Sequence, residues 1–270
     1  MNQYFENYVA VTLPSRDLRA LGREALKGKW KLAIFATLIY HIMTTVPVML
    51  FDYLFPTFDG VSAFSGLYTV LVSGPFLLGY SMFILSVFRN KPANAGQVFS
   101  GFEYFGKALG LQIYMSIFIV LWALLFFIPG IIAAIRYSQA FYVLADNPNL
   151  TIRECMNESK RMMQFNKAKY FCLQLSFIGW AILAAIPGAI VTGAVEAKNI
   201  IDPSGAVALA GQDLLVYNIV IFLCELTIVA LTPYIESACI ALYEIIRGNL
   251  RPCTLQVDGY AVNECDPFNR

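Results

Sequence analysis

Between Leu109 and Pro148 the chain is almost unbroken hydrocarbon, with a single arginine, Arg136, in its second half. A bilayer core about 30 Å thick is crossed by about 20 helical residues, so this run is nearly twice too long for one passage. It has no polar face to show to water either, and the segment must fold back on itself. Pro129 lacks an N–H and Gly130 tolerates positive φ, so Ile128-Pro129-Gly130 is the expected reversal between two helices.

The rest of the chain repeats that hairpin. Ser15 to Lys27 reads as an amphipathic helix with Ser15 as N-cap, Arg16, Arg19, Arg23 and Lys27 on one face and Leu18, Leu21 and Ala25 opposite. Trp30, set between Lys29 and Lys31, is an expected lipid-water anchor. Leu32 to Phe51 is a first span, ending in an acidic, aromatic loop with Asp52 and Asp59. Leu67 to Phe88 is a second, interrupted near Ser73-Gly74-Pro75. Val98, Phe99, Phe102 and Phe105 recur at helical spacing and mark a second surface helix. Thr151 and Glu154 form a capping box that opens a third. A fifth span follows Tyr170. Beyond a polar segment containing Pro203, Ser204 and Gly205, Leu214 to Ile246 makes a sixth, with Pro233 as the expected bend.

The predicted fold is therefore all-α, a polytopic membrane helix bundle of six transmembrane helices with three cytoplasmic interfacial amphipathic helices. Residues 1–31 form an N-terminal segment, 32–248 the membrane domain and 249–270 a C-terminal tail. Three times the order is surface helix, basic boundary, entering span, proline-bearing turn and returning span, which suggests a tandem repeat. The returning spans share echoes: Gly79-Tyr80-Ser81 against Arg136-Tyr137-Ser138, and Phe141-Tyr142 against Leu242-Tyr243.

Composition agrees. The charged share is 14%, against roughly 25% in soluble domains, and mean hydropathy is +0.62. With six spans, every one of the 19 basic residues except Lys198 and Arg136 falls on the side of the termini. The positive-inside rule then makes both termini cytoplasmic. No cleavable signal peptide is visible at the N-terminus.

His41 is the only histidine, and the six cysteines show no CxxC spacing, so neither a zinc site nor a disulfide framework is expected. No P-loop, GxSxG or HExxH is present, so no enzyme activity, catalytic residue, metal or cofactor is expected. The expected partners are the bilayer and anionic lipid headgroups drawn to the basic helices, and not nucleic acid.

Arg136, Glu236 and His41 are the candidate intramembrane polar cluster. Each lies 10 residues from its basic boundary, about 15 Å deep, so Arg136 and Glu236 are expected to face each other with His41 near. Glu225, about 31 Å from the same face, falls near the outer interface and needs no partner. Either the cluster is a buried pair that fixes packing, or it serves a polar substrate or a proton, or Arg136 reaches an aqueous cleft.

The run from Ile128 through Asp146-Asn147-Pro148, the helix Ser159 to Met163 with Asn166-Lys167, the segment Leu175 to Trp180, and the Pro233-Tyr234 span ending in Ala241-Leu242-Tyr243 resemble a bacterial membrane family, domain of unknown function nine-seventy-five. They are more distantly similar to the membrane region of some glycerophosphodiester phosphodiesterases. The resemblance implies a polytopic protein of the bacterial cytoplasmic membrane and carries over no catalytic residue. The chain departs from the family pattern at Phe165, where glycine is usual, and in an insertion over 189–232. Two functions follow as expectations: a non-enzymatic scaffold or accessory protein of the cell envelope, or a small-solute or lipid transporter using Arg136, Glu236 and His41.

Overall fold

The computed structural model describes residues 10–55, 63–201 and 212–250. Asp59, the polar segment with Pro203, Ser204 and Gly205, and the tail from residue 251, with Cys253 and Cys265, lie outside them. The described chain is helical throughout: α1 (Ser15–Ala25), α2 (Trp30–Leu54), α3 (Ala63–Phe88), a 3-10 helix (Ala95–Tyr104), α4 (Phe105–Leu125), α5 (Phe127–Tyr137), α6 (Ala140–Asp146), α7 (Ile152–Met162), α8 (Lys167–Leu175), α9 (Ile178–Ile201) and α10 (Gln212–Ile246). Among the described residues, five helical stretches are long and apolar enough to cross a membrane: α2, α3, the 3-10 helix with α4, α5 with α6, and the second half of α10. The pair α8 and α9, bent by 46°, makes a sixth if it counts as one span. The arrangement is compatible with a multi-pass membrane protein.

The central hairpin forms, but its break is not at the proline. Phe126 adopts an extended conformation (φ −157°, ψ 144°) between α4 and α5, which places Pro129 in the first turn of α5. Proline is tolerated there because the first-turn N–H groups have no intrahelical acceptor. Gly130 is not at positive φ; only Gly28 and Gly248 are, among the described glycines. Its role is close approach, since a Cβ there would stand 2.8 Å from the Cα of Ala123 on α4. Other punctuation also moves. Pro75 lies inside an uninterrupted α3, and α10 continues through Pro233. The N-cap of α1 is Pro14 rather than Ser15, whereas the Thr151 and Glu154 capping box of α7 is as expected.

Packing divides the molecule into a dense base and an open upper half. The base joins the ends of α3, α6 and α10 with α1, α7 and the 3-10 helix. Phe83, Leu78, Ile84, Leu144 and the stretch from Ala238 to Ile246 are buried there. Each large apolar side chain so buried contributes about 1.5–3 kcal/mol. In the upper half apolar residues face outward: Leu124 is 80% and Phe127 77% exposed, as hydrocarbon-facing side chains should be.

The amphipathic segments pack onto the rest of the chain. Leu18, Gly22 and Ala25 of α1 are buried, and Gly22 lies so close to α10 that a Cβ would meet the Ala238 nitrogen at 2.8 Å. Cys155, Met156, Ser159 and Met162 of α7 are buried likewise, with α7 packed on α4, α5 and α6. These apolar faces are covered by protein. The segment around Val98 is a 3-10 helix that buries Val98 while leaving Phe99 and Phe102 at the surface, stacked edge-on against Phe76.

Candidate functional site

Three helices that return to the basic end, α3, α6 and α10, finish in charged residues that meet. Arg89 follows the last turn of α3, Asp146 ends α6, and Glu244 and Arg247 close α10. Arg89 Nη2 donates to Asp146 Oδ2 at 2.7 Å, Arg89 Nε donates to Glu244 Oε1 at 2.7 Å, and a second Arg89 nitrogen bonds each carboxylate. Arg247 donates to Asp146, and the Tyr243 hydroxyl donates to the same oxygen at 2.8 Å. Two cations and two anions thus balance inside a largely buried site. The placement is electrostatically sound, because helix C-termini carry partial negative charge that favours arginine. Burial alone would lower the Arg89 pKa, but the bonds and charges of Asp146 and Glu244 outweigh it and hold the guanidinium more basic than usual. A cavity of about 290 Å³ beside the knot is lined by Ser86, Arg89, Lys91 and Asp146. Lys29 fastens the start of α2 to the same place through Val87 O (3.0 Å) and Asn90 Oδ1 (2.8 Å).

None of the four knot residues was among the expected site residues, although the sequence carried a signal for them. Continuing the echo of Tyr80 and Tyr137 nine residues on lands on Arg89 and Asp146. Continuing that of Tyr142 and Tyr243 four residues on lands on Asp146 and Arg247. One position of the apparent repeat, taken three times, supplies three of the four charges.

The expected cluster is not assembled. Glu236 is hydrogen-bonded by the Tyr142 hydroxyl, and its carboxyl interacts electrostatically with Tyr40, Tyr80, Tyr170 and Cys239. One tyrosine from each of α2, α3, α6 and α8 therefore lies within electrostatic reach of an acid on α10, and Tyr142 bonds it directly. Thr37 and Tyr80 share a hydrogen bond of 2.9 Å at the edge of this group, and Gln174 joins Tyr170 at 2.9 Å. Arg136 makes no ion pair with a described acid; its backbone carbonyl accepts the Ser159 hydroxyl at 2.8 Å, which ties α5 to α7.

His41 meets Glu225 instead of Glu236. Its Nε2 stands 3.2 Å from Glu225 Oε2, without hydrogen-bond alignment, and its ring stacks on Phe222 at 5.4 Å. The depth count failed because α2 and α10 are not flush. Trp30, at the start of α2, meets Tyr234, 12 residues before the end of α10. Counts taken from Ile246 on α10 and from Lys31 on α2 therefore do not measure depth from one common plane. A carboxylate inside the apolar zone costs at least about 2.5 kcal/mol unless it is hydrated or partnered, and His41 is the ion-pair partner of Glu225.

Among the described residues no group of three His, Cys, Asp or Glu side chains could hold a metal ion, and Cys155, Cys172, Cys224 and Cys239 form no disulfide. The profile of a family described as Protein of unknown function (DUF975) matches residues 13–135 and 124–250. No curated protein and no solved structure matches the chain.

Proposed function

The chain belongs to the DUF975 family, and from that membership we propose that it is a scaffold or accessory protein of the bacterial cell envelope, non-enzymatic, embedded in the cytoplasmic membrane with its basic end inside. The observation that carries this reading is the knot of Arg89, Asp146, Glu244 and Arg247. Its polar groups bond one another and Tyr243, and so join three helix ends into a base. The basic residues crowded at that end support a cytoplasmic placement, since they would be held back from translocation.

Transport through a shared polar site has less support. Glu236 is engaged by Tyr142 and His41 stands against Glu225, so Arg136, Glu236 and His41 share no common centre. The test is a membrane lipid and metabolite profile of cells with and without the protein, run beside proximity labelling from a tag at the basic end. A scaffold gives a reproducible set of labelled neighbours, and that set is lost in an Arg89→Met strain. Accumulation of one solute or lipid on a single side of the membrane, with no stable neighbours, would favour transport.

A further inference from the structure

Glu236 has Tyr142 and His41 has Glu225, but the charge of Arg136 goes unanswered. Its side chain is half-buried in the last turn of α5, and among the described residues its guanidinium makes no hydrogen bond and no ion pair. A cation in a span is costly unless something pairs or hydrates it. The surroundings place Arg136 at the polar edge of the bundle. The Ser159 hydroxyl ties α7 to its carbonyl, and α7 turns Arg153, Glu154, Asn157 and Arg161 outward, a polar face that belongs at the water boundary.

A second cation stands close. Lys160 Nζ lies 5.6 Å from the ring centre of Tyr137, the residue after Arg136, and the Arg136 charge acts on the same tyrosine. Among the described residues Lys160 bonds the neutral amide of Asn157, at 3.4 Å, and no acid. Glu158, two residues before it, has Arg161 and Arg247 as its electrostatic neighbours. Two positive charges therefore flank one ring with no described acid to answer either. Away from the basic end the wall turns to hydrocarbon: Ile132 and Ile128 continue the ridge of α5 from Arg136 at intervals of four residues, 43% and 69% exposed.

We propose that this surface binds one anionic phospholipid of the leaflet at the basic end, its phosphate bridged between Arg136 and Lys160 and an acyl chain lying along Ile132 and Ile128. The guanidinium offers phosphate oxygens paired N–H donors, and the ammonium adds a point charge. A zwitterionic phosphatidylcholine brings its own cation against the two already there, so net negative charge selects the lipid. The apolar ridge distinguishes a lipid from a soluble phosphate ester, which has the same head and no chain. The site does not rest on the scaffold reading, whose knot joins the ends of α3, α6 and α10.

The experiment titrates the full chain in detergent with radiolabelled dioleoylphosphatidylglycerol. Wild type shows saturable binding that the unlabelled lipid displaces and that neither dioleoylphosphatidylcholine nor glycerol 3-phosphate displaces. Arg136→Gln and Lys160→Gln each weaken it about fivefold, the effect of one basic residue at an anionic headgroup, and Arg136→Lys weakens it less. Arg153→Gln, which removes an exposed charge at the opposite end of α7, leaves it unchanged. All variants are checked for an unchanged helical spectrum and elution volume. Absence of saturable binding, equal competition by phosphatidylcholine, an equal loss in Arg153→Gln, or wild-type affinity in folded Arg136→Gln or Lys160→Gln overturns the assignment. Displacement by glycerol 3-phosphate overturns it in favour of a soluble phosphate ester. Loss of the labelled neighbours with lipid binding intact would count against the scaffold reading alone.

Discussion

Arg89 and Asp146, 57 residues apart in sequence, hold the ends of α3 and α6 together through paired N–H···O bonds, and the same guanidinium reaches Glu244 on α10. Three helices of one bundle thus share a single planar cation. Arginine suits this because its five donors lie in a fixed fork, whereas a lysine would supply a point charge without the paired geometry.

Replacing Arg89 by methionine leaves Glu244 without its ion-pair partner and Asp146 with Arg247 alone. Breaking a buried pair from one side costs about 3–5 kcal/mol, mostly the uncompensated charge left behind. Unfolding in detergent should show a loss of that order, with Arg89→Lys intermediate. Adding Glu244→Gln to Arg89→Met should recover part of it, since the stranded charge is then gone; a strictly additive double variant would mean that the two residues do not interact.

The 3-10 helix lies against α3 through backbone, and glycine makes that possible. A Cβ at Gly79 would fall inside the van der Waals surface of Val98 O, and one at Gly101 inside that of Pro75 O. Gly79→Ala and Gly101→Ala should each prevent docking of the segment and lower the yield of folded protein sharply. Gly106→Ala, in the first turn of α4, is the control: nothing lies within 4 Å, so the substitution should leave the folded protein at least as stable as wild type. Thermal unfolding of the three variants would separate the cases.

Much of this architecture was legible beforehand because it follows from hydrocarbon length. The folding back of Leu109 to Pro148, the spans that became α2, α3 and α10, and the Thr151 capping box all depend on local composition or local hydrogen bonding. What escaped depends on relative helix height. The pairing of His41 with Glu225 follows from the offset between α2 and α10, while Glu236 is bonded by Tyr142 and Arg136 makes no ion pair with a described acid, tertiary relations that no residue count along one helix contains. The base escaped for a related reason. The amphipathic faces of α1 and α7 look the same in sequence whether lipid or protein covers them, and Gly22 against Ala238 decides for protein in α1.

Glu158 is buried in α7, its Oε1 has no hydrogen-bond partner, and Arg161 lies 3.9 Å from the other oxygen. Burial holds its carboxyl above the usual glutamate value against the opposing charges of Arg161 and Arg247. A raised folded value means that its contribution is fully present below the unfolded value and is lost as pH rises through the folded one. The melting temperature of Glu158→Gln relative to wild type should therefore rise between pH 4 and pH 7. A difference that stays flat over that interval would show that the group ionises in the fold as it does in water.

On the same helix, burial pushes the Cys155 thiol up to about 11, with Glu154 adding to the effect and Lys107 opposing it. It should resist maleimide at pH 7 in the folded protein and react once denaturant opens α7, making it an internal reporter of base unfolding. Rapid labelling of the native protein at Cys155, read by peptide mapping, would contradict the buried position of this helix face.

The central claim is that α3, α6 and α10 end on one side of the membrane, the cytoplasmic side, joined by Arg89, Asp146, Glu244 and Arg247. The most direct measurement places single reporters by Asn90→Cys, Asn149→Cys and Asn249→Cys in a background without the native cysteines, with Phe126→Cys at the far end as the opposite marker. Each is treated with a membrane-impermeant maleimide in intact cells and in inverted vesicles. The account predicts that the first three react only in inverted vesicles and Phe126→Cys only in intact cells. Reaction of Asn149→Cys from outside while Asn90→Cys and Asn249→Cys stay inside would put the end of α6 on the wrong side for Asp146 to meet Arg89, and would contradict it.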